Sequence, residues 1–290
     1  MHPAPFTYHR AGSVAEALNL LQQYPEDGKL LAGGQSLLPV MKLRLAQPAH
    51  LIDISRLDEL SGVRRDGDTI HVGALTTHYE IEHNEILRET CPILPEAAHV
   101  VGDQQVRNLG TLGGVLAHAD PAADYPASIL ALDAHIIARG LDGERVIPAP
   151  DCFVGFLTTA LQPHELLTEV RIPVPPAGTG MTYQKVANQA SGYAVVGVAV
   201  VVNLADDGTI ARSRIGITGA GDHAVRAFAV ESALQGKQPD EATLRAAAES
   251  ATEGIDLLDD HAAPLAYRDR VTRNLTRRAL TIAVERASKG

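Results

Sequence analysis

Two glycine pairs, each accompanied by a hydroxyl residue, constrain this chain more than any other feature. The first lies in Leu31-Ala32-Gly33-Gly34-Gln35-Ser36-Leu37-Leu38 and the second closes Arg107-Asn108-Leu109-Gly110-Thr111-Leu112-Gly113-Gly114. The apolar run 29–32 predicts a strand before the first pair, and Leu37, Leu38, Met41 and Leu45 after it are spaced for a helical turn or two. Glycine lets the main chain take φ > 0 and lets another group come close to it. Consecutive free N–H groups in such a turn form an anion-binding concavity, and a helix opened by Ser36 would add the positive end of its dipole. One such turn alone reads most simply as a strand-to-helix connection. Two of them suit a pyrophosphate, which needs donors from more than one side. Neither loop is G-x-G-x-x-G, and no acidic residue follows the first at the spacing of a strand–helix–strand dinucleotide unit. A dinucleotide site here is therefore one of a different design.

The rest of the composition narrows the function classes. A chain of 290 residues, 45% hydrophobic and 21% charged, is globular and long enough for about two domains. A formal charge of −10 argues against nucleic acid as the main ligand. Cys91 and Cys152 form no C-x-x-C pair, so the chain is expected to hold no iron–sulfur cluster or zinc site of its own; both read as buried small hydrophobes in a reducing, cytoplasmic setting. Residues 1–6 lack the charged and apolar regions of a signal peptide. The longest apolar run, 194–202, is far too short to span a bilayer. There is no Trp and aromatics are only 4%, which leaves few rings to stack on a planar cofactor. The twelve histidines are scattered, and His118, near the second loop, reads as a cap or hydrogen-bonding group before it reads as a general base. No catalytic triad, paired acid and base, or metal-ligand set is evident.

Along the chain, Ser13 to Glu16 and Thr77 to Glu80 are capping boxes, the first leading a helical stripe of Val14, Ala17, Leu18 and Leu21 that ends before Pro25. Residues 51–54 read as a strand, 62–73 as a hairpin around Asp66-Gly67-Asp68, and 93–101 as a helix. Pro121 suits the first position of a helix capped by Asp120 and continued through 125–132. Strands are expected at 135–139 and 144–147. The proline-rich stretch 172–180 is the best linker candidate. After it come antiparallel strands at 181–186, 193–204 and 209–216, then helices at about 223–235, 240–253 and 264–288. The arginines of the last helix, Arg268, Arg270, Arg273, Arg277, Arg278 and Arg286, read as a solvated or partner-facing side.

At this point the order of motifs becomes specific. Ala32-Gly33-Gly34-Gln35-Ser36-Leu37-Leu38-Pro39 is followed by Met41-Lys42-Leu43-Arg44, then Gly110-Thr111-Leu112-Gly113-Gly114, then Ala119-Asp120-Pro121-Ala122-Ala123-Asp124. With the chain length and the Ile172-Pro173 junction, this resembles the FAD-binding medium subunit of the molybdenum hydroxylases over essentially the whole chain. The family includes aerobic carbon monoxide dehydrogenase, xanthine dehydrogenase, nicotine dehydrogenase and aldehyde-oxidising relatives. The segments Pro3 to Arg10 and Gly192-Tyr193-Ala194 resemble the carbon monoxide dehydrogenase branch most.

The resemblance implies an α+β fold: a two-part FAD-binding domain of the vanillyl-alcohol oxidase kind, over 1–56 and 57–176, then an α+β C-terminal flavoprotein domain over 177–290 with a small antiparallel sheet and helices. It also implies a role. Substrate is oxidised at a molybdenum cofactor in a large subunit, electrons cross two [2Fe–2S] clusters in a small subunit, and the FAD of this chain passes them to an external acceptor. The implied assembly is a dimer of heterotrimers in the cytoplasm, with association at the inner membrane face through the acceptor as a further expectation.

Carried over residue by residue, the first pyrophosphate loop falls on Ala32, Gly33, Gly34, Gln35, Ser36 and Leu37, and the second on Gly110, Thr111, Gly113 and Gly114, with Ser36 and Thr111 as hydroxyl donors. Asp124 matches a contact to the ribityl or flavin polar edge; the alternative is a helix-start charge. Val101 matches a residue packed on the isoalloxazine, or is a plain core valine. Lys185 matches a basic contact to the flavin, or is a surface lysine. Leu167 touches the ring or is strand core, and Tyr193 covers the flavin and restricts acceptor access. Many members carry Asn after the second glycine pair where this chain has Val115, which removes a side-chain contact and leaves the backbone cradle. A Val at position 33 is expected to fill the approach of the phosphate. The rival readings are a self-sufficient flavin oxidase or reductase, a cofactor-free scaffold, and a benzoyl-CoA reductase type, whose extra cluster loop needs more cysteines than this chain has.

Overall fold

The computed structural model describes residues 2–289; Met1 and Gly290, the outer limits of the first and last expected segments, lie outside the described residues. The helix Val14–Gln23 buries Val14, Ala17, Leu18 and Leu21, and the Ser13 side chain accepts from Glu16 N at its start. The reciprocal half of the expected box is missing: the Glu16 carboxylate takes the Gly12 N–H at 2.7 Å. This helix covers a parallel sheet in the order Thr7–Arg10, His50–Asp53, Gly28–Leu31. The first glycine loop leaves the end of Gly28–Leu31 and leads into the short helix Leu37–Lys42.

A second, antiparallel sheet has the order Val63–Asp66, Thr69–Gly73, Leu166–Pro173, His135–Gly140, Gly143–Pro148. Its central strand runs into the expected linker: Ile172 pairs with Ile70 and Pro173 with Thr69. Proline is tolerated there because it ends the strand. Between the strands Thr69–Gly73 and His135–Gly140 lie six helices, His78–His83, Glu85–Thr90, Ile93–His99, Gln104–Leu109, Leu112–His118 and Tyr125–Ala131. The Thr77 box is complete, with both reciprocal bonds to Glu80. The helix expected from Pro121 instead begins at Tyr125. Asp120 Oδ1 accepts from Ala122 N at 2.9 Å, so this residue closes a turn, as Asp side chains do, and starts no helix.

The third sheet, Gly180–Ala187, Ala194–Leu204, Ile210–Thr218, Val225–Arg226, is antiparallel throughout. Its strand Ala194–Leu204 is buried on both faces, which explains the long apolar run: Val196, Val198, Val200 and Val202 pack in the core that includes Leu275, Ala279 and Leu280 of the helix Leu265–Ala287, while Ala199 and Val201 join the core containing Tyr125, Ala127 and Ile129. Strand Val225–Arg226 takes the start of the helix expected over 223–235, leaving Phe228–Leu234; the next helix is Glu241–Ala248. The arginines of the last helix are not one solvated face. Arg268 is buried, donates to the carbonyls of Val195 at 2.7 Å and Gly219 at 2.5 Å, and meets Asp260 at 2.6 Å. Arg286 reaches Glu96 and the Met181 carbonyl. Among the described residues no helix is long and apolar enough to cross a membrane.

Candidate functional site

The two glycine loops touch. A Cβ on Gly33 would overlap the Leu109 carbonyl oxygen and stand 3.0 Å from Gly110 Cα, so residue 33 is glycine because the second loop passes there. This differs from the expectation that the space at Gly33 is kept for a phosphate. Gly34 takes φ +71°, a conformation that favours glycine, and turns the chain out of the strand. Among the described residues, the N–H groups of Gly33, Gly34, Gln35, Ser36 and Leu37 donate to no other group of the chain; the first committed donor is Leu38 N, which meets Gly34 O at 3.1 Å. Ser36 occupies the position before the helix Leu37–Lys42 without capping it, so its hydroxyl is not spent on the helix. Six residues make too short a helix for its dipole to count for much. The donors themselves carry this loop.

The second loop is closed. Leu112 N donates to Thr76 O at 3.0 Å, Gly113 N to Ala74 O at 2.8 Å and Gly110 N to Val106 O at 2.7 Å. Gly114 N donates to Thr111 Oγ1 at 3.2 Å, the cap of the helix Leu112–His118. The expected cradle of free N–H groups is absent from these four positions. What Thr111 keeps is its main-chain N–H, which donates to no other group among the described residues, and its hydroxyl proton, since its oxygen is the acceptor in the cap. Val115 faces inward against the core, so the residue in place of the usual Asn is a packing residue. His78 supports the loop from below: its ring fills the space a Gly110 Cβ would need, and His78 N donates to Gly110 O at 3.0 Å. Burial, with Arg107 adding to it, pushes the His78 imidazole down to about 4.

Beyond the loops, Asp124 and Lys185 form a buried ion pair at 2.9 Å, with 6% and 5% of their side chains exposed. Lys185 is thus no surface lysine. Its ammonium also donates to Val100 O at 3.0 Å, which accounts for two of its three protons. Burial raises the Asp124 carboxyl, opposed by Lys185 and by the Tyr183 phenol, which donates to Asp124 Oδ1 at 2.6 Å. A buried pair of this kind costs about as much in desolvation as it returns, so stability alone does not account for it. Val101 follows the carbonyl that Lys185 grips and packs, partly buried, against the main core. Leu167 lies in the strand Leu166–Pro173 and is a buried core side chain. Tyr193, in the turn before strand Ala194–Leu204, is 45% exposed. Partial burial pushes its phenol up, Asp120 adds to this, and a hydrogen bond with Ser36 opposes it, which sets Tyr193 beside the first loop.

The sequence reading missed Tyr183 and Val100. Val100 acts through its carbonyl and so carries no side-chain signal, whereas Tyr183 stands two residues before Lys185, on the same face of one strand. The donor set fits a diphosphate carrying a polar ring system: free main-chain N–H groups, two hydroxyls and one spare ammonium proton. Cys91 and Cys152 are buried; burial raises both thiols, Cys152 to about 12, and neither is suited to nucleophilic work.

Two family models cover the chain. Residues 4–175 match the FAD binding domain in molybdopterin dehydrogenase, and residues 181–283 match the CO dehydrogenase flavoprotein C-terminal domain. The carbon monoxide dehydrogenase medium chain of Hydrogenophaga pseudoflava is 39% identical, over 99% of this chain and 100% of that one. The 6-hydroxypseudooxynicotine dehydrogenase complex subunit alpha of Paenarthrobacter nicotinovorans is 38% identical, over 99% and 97%. In a solved structure of the Hydrogenophaga pseudoflava carbon monoxide dehydrogenase, one chain superimposes with a TM-score of 0.96 at 42% identity, covering 99% of each. The paired loops, the three sheets and this full-length likeness agree, and the chain belongs to the FAD-binding flavoprotein subunits of the molybdopterin dehydrogenases, the family of the carbon monoxide dehydrogenase medium chains.

Proposed function

We propose that this chain is the FAD-carrying electron-transfer subunit of a molybdenum hydroxylase complex of the carbon monoxide dehydrogenase type. It receives electrons from the [2Fe–2S] clusters of a small partner subunit, serves a large partner that holds the molybdenum cofactor, and delivers to an external acceptor. The matched family models, over 4–175 and 181–283, support this reading and a C-terminal domain 177–290, and the separate sheets of 7–53 and 63–173 support dividing the first part into FAD-binding segments 1–56 and 57–176. A dimer of heterotrimers working in the cytoplasm is the assembly proposed with it.

Bound FAD would supply the exchange of electrons singly on one side and in pairs on the other. The chain's own residues do the holding. The open N–H groups of 33–37 and the hydroxyls of Ser36 and Thr111 take the diphosphate, Gly33 and Gly110 keep the two loops in contact, and Gly113 and Gly114 let the second loop lie against Ala74 and Thr111. The remaining ammonium proton of Lys185, backed by Asp124, faces the cofactor's polar edge, with Val101 beside it. Tyr193 covers the site. The observation that carries the proposal is the row of uncommitted N–H groups at 33–37 directly beside the second loop. Native purification of the tagged chain tests it, with partners identified by mass spectrometry and released cofactor by absorbance. A large molybdenum subunit, a two-cluster small subunit and stoichiometric FAD are expected. A fully assembled complex without flavin overturns the reading, and a chain that reduces its flavin with substrate unaided makes it a self-sufficient flavoenzyme.

A further inference from the structure

We propose that Tyr183 is a positioning residue of the flavin site: its phenol holds the Asp124 carboxylate, which in turn fixes the Lys185 ammonium in place beside the cofactor. This rests on the function proposed above. Asp124 stands at the start of the helix Tyr125–Ala131 yet makes no side-chain cap, unlike Ser13, Thr77, Asn84, Asp103, Thr111 and Asp240 at their helices. Its two oxygens go to the strand Gly180–Ala187 instead: Oδ1 accepts from Tyr183 Oη at 2.6 Å and Oδ2 from Lys185 Nζ at 2.9 Å. One carboxylate is thus clamped by two donors that share a strand face.

A second observation shows that the clamp is built in. Gly197 lies opposite Lys185 in the register of the neighbouring strand. A Cβ there would overlap the Tyr183 hydroxyl and stand 2.8 Å from Thr218 Cγ2, so the phenol reaches Asp124 only because residue 197 has no side chain. Tyr183 is itself buried, and burial followed by Asp124 keeps its phenol protonated and donating.

With both donors in place, both carboxylate oxygens are satisfied, and the Lys185 ammonium is fixed between Asp124 Oδ2 and the Val100 carbonyl. Without the phenol, Oδ1 is a buried acceptor with no donor. The carboxylate can then turn towards another donor, and the Lys185 ammonium loses its fixed place beside the cofactor. A positive charge beside a flavin favours its reduced, more negative form, so moving that charge away lowers the midpoint potential.

The test uses Tyr183→Phe and Gly197→Ala in the full chain, purified as the complex. It reads the midpoint potential of the bound flavin by spectroelectrochemical titration, the rate of FAD release, and the melting of the flavin-stripped chain. Either variant is expected to prefer reduced over oxidised flavin about tenfold less than the wild type, about 30 mV for a two-electron couple. Loss of flavin from a variant whose stripped form melts like the wild type also supports the proposal. If Tyr183→Phe does not fold, Gly197→Ala decides on the same readings. Wild-type potential and wild-type FAD release in every folded variant overturn it, with Tyr183 then a core residue only. A wild-type complex without flavin removes the proposed function, and this inference falls with it.

Discussion

From Gly33 to Leu37 the main-chain N–H groups donate to nothing else among the described residues, whereas those of Gly110, Leu112, Gly113 and Gly114 are all taken by Val106, Thr76, Ala74 and Thr111. Both loops carry a glycine pair and a hydroxyl, and in sequence they look like two copies of one device. In the structure glycine serves opposite ends. Gly34 uses its freedom of φ to leave a strand, and the N–H groups around it stay without a partner among the described residues. Gly113 uses its small size: a Cβ would come within 2.6 Å of Ala74 Cβ, so the missing side chain lets the loop bond to the backbone and close itself. One loop keeps its donors open, and the other is the closed wall that the first leans on.

The sharpest way to break that comparison is Gly33→Val. The branched side chain runs into the Leu109 carbonyl, which is backbone and cannot step aside. The loops must part, at a cost of about 1–3 kcal/mol or more for an overpacked contact. Both the melting temperature of the stripped chain and the flavin content of the purified one are expected to fall. Loss of flavin at an unchanged melting temperature would show instead that the space at Gly33 belongs to the phosphate.

How much of this was legible in the sequence depends on which kind of signal each residue carries. The stripe Val14, Ala17, Leu18, Leu21 and the Thr77 capping box are local patterns, and both stand as expected. The order of the two loops was enough to place the chain in its family. The closure of the second loop was not legible, because its partners Ala74 and Thr76 lie far back in the sequence and bond through their carbonyls. Asp120-Pro121 is a sound local signal for a helix start, yet Asp120 closes a turn on Ala122 N and the helix begins at Tyr125. Arg268 fell on an apparent polar stripe, and only the fold reveals that two carbonyls and Asp260 receive it inside.

The wall can also be probed through pH. His78 sits under Gly110 as the neutral imidazole, its pKa lowered to about 4 from an ordinary 6.5 by burial and then by Arg107. Between these two values the unfolded chain binds a proton that the folded chain refuses. Stability is therefore full above about pH 6.5 and is lost as the pH falls towards 4, by about 3 kcal/mol in all at 1.36 kcal/mol per unit. Chemical denaturation of the stripped chain at several pH values checks this. His78→Gln is expected to flatten the dependence in that window, and an unchanged slope would show that other groups set it.

Smaller effects separate the two hydroxyls. Thr111 Oγ1 caps the helix Leu112–His118 through Gly114 N, so Thr111→Ala is expected to cost about 1 kcal/mol of folding stability, as a lost cap does, and to weaken flavin retention with it. Denaturation midpoints of the stripped variant measure the first part. A midpoint equal to that of the wild type would mean that the cap contributes nothing and that the wall is held by Ala74 and Thr76 alone.

Ser36 provides the opposite case. It stands before the helix Leu37–Lys42 and caps nothing, and its hydrogen bond is with the half-exposed phenol of Tyr193. Ser36→Ala therefore removes no helix cap and only one bond at the surface, and the stripped chain is expected to unfold within about 0.5 kcal/mol of the wild type, as a surface change does. Its effect belongs to the bound state alone, where one hydroxyl bond to a charged group is worth about 1.5–3 kcal/mol. Dialysis at fixed FAD concentration, with flavin absorbance as the reading, should show the variant losing cofactor first. If Ser36→Ala and Thr111→Ala change stability and retention in the same proportion, the division between an open loop and a closed one is wrong, because a wall and a binding surface cannot respond alike to losing the same group.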